Sequence, residues 1–120
     1  MKFTIKGELL SLNEYIRIER GNKQAANKCK KIQTMICKNA SKSLYKKVDP
    51  NVLYDLKITW NVKDNKKDPD NVYFAVKFIL DGMVNAGVIS NDGRKNIRHI
   101  SHEIYTNKDP FIVVELLDAN

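Results

Sequence analysis

The residues best equipped for chemistry lie in Asp68-Pro69-Asp70-Asn71, with Lys77 and Asp81 beyond them and Asn91-Asp92-Gly93 about twenty residues further on. Three carboxylates drawn within a few ångströms repel one another unless they are protonated or bridged by a cation. Hard oxygen ligands of this kind suit Mg²⁺ or Mn²⁺. Such an ion polarises a phosphate oxygen and lowers the pKa of a bound water, and a nearby lysine stabilises charge that builds on phosphorus. The same residues also have a plain structural reading. Asp68 is a good helix N-cap, Pro69 suits the first helical position, Asp70 favours the helix dipole, and Asn91-Asp92-Gly93 is common turn chemistry.

The elements that must position these groups are legible from periodicity. A helix is expected from about Pro69 to Asn85, with Val72, Ala75, Val76, Ile79 and Met83 as its buried stripe and Asp70, Phe74, Lys77 and Asp81 on the opposite face. Its far end lies roughly 24 Å from Asp70, so the loop Gly87 to Asp92 must lead the chain back if Asp92 is to approach Asp68 and Asp70. Period-2 alternation marks strands at Phe3 to Leu9 and at Val52 to Lys63, the latter with Tyr54, Leu56, Ile58 and Trp60 on its apolar side. Weaker alternation marks Ile97 to Thr106. Phe111 to Leu117 is apolar on both faces and is expected to be well covered. A second helix, from about Lys23 to Tyr45, carries Ile32, Met35, Ile36, Ala40 and Leu44 at helical spacing as its expected core face. The order is βαβαββ, an α/β (α+β) fold in one small domain spanning residues 1–120, with a mixed sheet of about four strands and two main helices.

Charge adds a second theme. The chain has 120 residues with 21 Lys+Arg against 14 Asp+Glu, a formal net charge of +7. The excess is concentrated between Arg17 and Lys47, where Glu19 is the only acid, so the remainder of the chain is slightly acidic. Such a block points to a polyanionic partner, nucleic acid foremost. Arg17, Arg20, Lys23, Lys28, Lys30 and Lys31 are the candidates for tracking phosphates, and Lys63, Lys66 and Lys67 flank the acidic motif; the bland alternative is a solvated helix. No segment reads as a membrane span or an export signal, so a cytoplasmic protein with no membrane partner and no small-molecule cofactor is expected. Cys29 and Cys37 read as small apolar residues of a helix in a reducing setting. His99 and His102 fall on opposite sides of a strand and read as surface histidines.

Asp68-Pro69-Asp70-Asn71, then Lys77 with Asp81, then Ala86-Gly87 and Asn91-Asp92, with Ser11-Leu12-Asn13-Glu14-Tyr15 near the start, resemble the RusA family of Holliday-junction resolvases. The resemblance implies a homodimeric endonuclease that makes paired nicks in four-way DNA junctions during recombination and repair, using Mg²⁺ or Mn²⁺. It places the metal-binding acids on Asp68, Asp70 and Asp92 and the catalytic lysine on Lys77, with Asn13 and Asn71 in support. Two departures stand out. Three additional residues precede Lys77, which moves it about 4.5 Å further along the same helix face. Asn91 also stands where the family often has a second aspartate. A non-catalytic DNA-binding accessory protein of a phage or mobile element, or a nuclease for other branched substrates, uses the same residues.

Overall fold

The computed structural model describes residues 1–119. In β1 (Lys2–Lys6), Phe3 and Ile5 are buried while Lys2, Thr4 and Lys6 face solvent, as alternation requires of a strand covered on one side. β2 (Tyr54–Val62) directs Tyr54, Leu56, Ile58 and Trp60 into the core. β3 (Ile97–Thr106) is mostly exposed, and β4 (Phe111–Asp118) buries Ile112, Val114 and Leu116. The four strands form one mixed sheet in the order β1-β4-β2-β3, with β4 antiparallel to both its neighbours and β2 parallel to β3. The parallel pair demands a crossover. That crossover is the segment bearing Asp70, Lys77 and Asp92, so the sheet topology itself fixes where the acidic motif can go.

The helix expected from Pro69 to Asn85 is split in two, and an additional helix precedes the basic one. Ahead of the long basic helix lies α1 (Leu12–Gly21), an amphipathic helix with Leu12, Tyr15 and Ile16 at helical spacing that is not among the expected elements. It opens on a capping box. The Ser11 hydroxyl accepts from the Glu14 amide, and the Glu14 carboxylate accepts from the Ser11 amide at 3.1 Å. Asn22 then turns the chain within one residue, its side-chain oxygen accepting from the amides of Gln24 and Ala25 to open α2 (Lys23–Ser41). A 3-10 turn, Lys42–Leu44, ends the helical stretch that the sequence extends to Tyr45. The second helix divides into α3 (Pro69–Tyr73) and α4 (Val76–Asn85). Between them the amides of Ala75, Lys77 and Phe78 bond three residues back, a tighter winding that shifts the faces of the two pieces out of phase. Asp70 and Lys77 therefore do not share one continuous helical face. Gly87, with φ of +75°, closes α4 in a Schellman motif, the amides of Val88 and Gly87 bonding to the carbonyls of Met83 and Val84.

Of the core face expected of the long basic helix, Leu44 is buried and Ala40 packs against the core, but its three large residues in the middle of the helix do not follow them. Ile32, Met35 and Ile36 are 51%, 60% and 40% exposed, while Ala26, Cys37 and Ser41 are buried. The cause is α4. A Cβ added at Gly82 would stand 2.5 Å from the Cys37 Cβ and 2.6 Å from the Lys38 amide nitrogen, so the two helices meet almost backbone to backbone and only small residues fit between them. Beneath them Phe78, Ile79 and Met83 of α4, with Val88 and Ile89, close over Leu56, Ile58 and Val114 of the sheet. On the other side of β4, Leu117, expected to be well covered, is 44% exposed. Among the described residues no helix is long and apolar enough to cross a membrane.

Gly82→Ala should destabilise the protein by about 1–3 kcal/mol, because the added methyl meets main-chain atoms that cannot rotate away. A urea midpoint equal to that of the wild type would rule out this close helix contact.

Candidate functional site

Asp68 and Asp70 open α3. Asp68 is extended (φ −67°, ψ 151°), and its carbonyl accepts from the amides of Asn71 and Val72, yet its carboxylate makes no capping bond. Both carboxylates are solvent-exposed. The two asparagines singled out as supports do come together: the Asn13 amide donates to the Asn71 side-chain oxygen at 2.9 Å. Tyr15 packs on Phe74 with ring centroids 5.6 Å apart. The first turn of α1 is thus fastened to α3, next to Asp70.

Lys67 has a different role from Lys66. Its ammonium lies 3.6 Å from Glu8 and 3.3 Å from Glu14 and is partly buried, so it ties the loop before α3 to α1 instead of facing outward as a free phosphate contact. Glu8 also accepts from the Lys63 amide at 2.7 Å. Lys66 stays exposed, and its amide bonds to the Asp64 carboxylate. Burial raises the Glu14 pKa, but hydrogen bonds from the Ser11 side chain and amide, with Lys67 alongside, outweigh it and hold the carboxyl below its ordinary 4.5.

Lys77 and Asp92 lie further along. The Lys77 ammonium stands 3.9 Å from Asp81, one turn on. Asp92 lines a shallow cleft with Thr34, Asp81, Val84, Asn85 and Asn91, whereas Asp68 lines a separate one with Asp64, Asn65, Lys67, Tyr105 and Thr106. The loop that carries Asp92 is tethered elsewhere. Buried Asn96 donates from its side-chain nitrogen to the Pro50 carbonyl at 3.0 Å, the Ser90 amide donates to that same carbonyl, and Asn91 accepts from the Gly93 amide. Among the described residues no three of His, Cys, Asp and Glu are gathered to hold a metal ion. The three acids expected to converge are therefore not gathered in one place here, Asp92 and Asp68 lining different clefts. Cys37, beside Asp81, offers no thiolate, since burial and then the Asp81 charge push its pKa up to about 12.

The cationic face is the more developed feature. Arg17, Arg20, Lys23, Lys28 and Lys31 are exposed, and Lys30 is half-buried. None of these six is engaged in an ion pair among the described residues.

The pattern of the sequence placed His102 on the surface, and the structure corrects this. Trp60 donates its indole N–H to His102 Nδ1 at 3.0 Å, and the Tyr73 ring stacks on the imidazole at 4.4 Å between centroids. Burial lowers the His102 pKa, so the neutral ring accepts that bond. Tyr73 is the last residue of α3, which makes this stack the floor under the Asp70 turn. The signal was available, since His102 alternates with Ile100 and Ile104 on the side that pairs with Leu56, Ile58 and Trp60.

A depressed carboxyl pKa adds stability that is present above the unfolded value and is lost as pH falls through the folded one. Glu14→Gln keeps a capping acceptor without the charge, so the wild type should exceed it by less than about 1 kcal/mol at pH 7. In thermal melts from pH 7 down to 3 the gap should shrink, and a gap independent of pH would refute the ionic link to Lys67.

No family model matches the chain, and no curated protein matches it.

Proposed function

We propose that the protein is a structure-selective DNA endonuclease that acts on four-way junctions as a homodimer, with Mg²⁺ or Mn²⁺ as its cofactor, in recombination and repair. The observation that carries this reading is the attachment of the acidic motif, through α1, to an α2 that holds lysines and no acid. Arg17 and Arg20 of α1 and the lysines of α2 make no ion pair among the described residues, and the Asn13 to Asn71 bond fastens the first turn of α1 to the turn that bears Asp70. DNA held by these basic residues would lie beside Asp68 and Asp70. The order of Asp68, Asp70, Asn71, Lys77 and Asp92 along the chain supports the nuclease side of the reading through its resemblance to the RusA family.

A second reading, a DNA-binding protein without catalysis, is favoured by one specific observation: Asp92 stands with Asp81 and Asn85 and not with Asp68. Incubating a labelled four-way junction with the protein and Mg²⁺ or Mn²⁺ separates the two. The nuclease reading expects paired nicks from the wild type, and from Asp70→Asn binding without nicking. Cleavage by Asp70→Asn at the wild-type rate would sink it, and junction binding without nicks under either ion would leave the binding protein.

A further inference from the structure

The exposed face of α2 carries an apolar ridge whose occupant can be identified from what surrounds it. Ile32, Met35 and Ile36 are 51%, 60% and 40% exposed and lie within two helical turns. Lys28, Lys31 and Asn39 line the same shallow surface, and α2 contains no acid. At 1.5 Å per residue the ridge is about 6 Å long, under two base steps of 3.4 Å each.

We propose, on the basis of the DNA reading above, that this ridge packs against bases opened at the branch point of the DNA while the flanking lysines hold the adjoining phosphates. Apolar side chains set in a cationic surface are what proteins insert between partly unstacked bases, and a perfectly stacked duplex offers them no such surface. The ridge would thereby make α2 the element that prefers branched over linear DNA. Charge complementarity selects this occupant. A second copy would bring the lysines of both α2 helices into one contact with no acid on either helix to offset them, and three side chains fall short of the roughly 800 Å² per partner of a stable interface. An anionic membrane surface calls for an apolar face along the whole helix, whereas Lys23, Gln24, Asn27 and Lys28 make the first turns of α2 polar.

The test compares the wild type with the triple variant Ile32→Ser, Met35→Ser, Ile36→Ser, whose sites are exposed enough that circular dichroism should show an unchanged fold. Affinities for a synthetic four-way junction and for a linear duplex of equal length are measured over a range of salt. The wild type should favour the junction, and the variant should lose about tenfold of that preference with duplex affinity and salt slope unchanged. 2-Aminopurine at the branch should brighten with the wild type and not with the variant. If the variant keeps both the preference and the brightening, the ridge does not touch bases and this proposal falls while the DNA reading stands. If the wild type binds neither DNA, both fall. Ridge-dependent binding to phosphatidylserine vesicles with junction preference intact would make a membrane the occupant. Conversion of a wild-type dimer to a monomer by the triple variant would make it a second copy. Either result overturns the proposal.

Discussion

The contact on which the arrangement rests is the near-touching of α2 and α4 at Gly82 and Cys37. With no side chain at Gly82, the α4 backbone comes so close to Cys37 and Lys38 that α2 must turn its small residues inward. A helix buries one face and exposes the opposite one, so Ala26, Cys37 and Ser41 going in sends Ile32, Met35 and Ile36 out. Their apolar surface is traded for a tight backbone fit. The result is a helix whose outward side is both cationic and apolar, an unusual combination for a face with nothing packed on it.

A second set of constraints holds the carboxylates. The turn bearing Asp68 and Asp70 is clamped from one side by α1, through Asn13, Tyr15 and the Glu8, Lys67 and Glu14 ion pairs, and from beneath by Tyr73 stacked on His102. Asp92 depends on a different anchor, the Asn96 bond to Pro50 in the connection before β2. The acids thus ride on two independently fastened parts of the molecule, and each is solvent-exposed. Leaving them apart avoids the repulsion that three bare carboxylates would suffer in one site.

Much of this was legible in the residues. Alternation located the strands most clearly at β1, β2 and β4, each of which buries one side against a common core, and more weakly at the mostly exposed β3. The acidic motif was correctly read as the start of a helix, and Asn13 and Asn71, both singled out beside it, prove to bond to one another, a contact not foreseen. Three features escaped for physical reasons. α1 is short and fully buries none of its residues, so its local signals, the spacing of Leu12, Tyr15 and Ile16 and the capping box of Ser11 and Glu14, are easily passed over. The division between α3 and α4 follows from a change in backbone winding that no apolar period records. Lys67 reads as one more surface lysine until Glu8 and Glu14 are brought to it from more than fifty residues away.

By itself the sequence determined what is local: where strands and helices lie, that cationic charge is massed before β2, and that a helix begins at an Asp-Pro-Asp-Asn turn. These depend on periodicity, capping and composition, which act between neighbours along the chain. Tertiary structure alone decided which side of the basic helix is buried and where Asp92 comes to rest. Both depend on contacts between distant segments, Gly82 against Cys37 and Asn96 against Pro50, and no pattern within either segment specifies its partner.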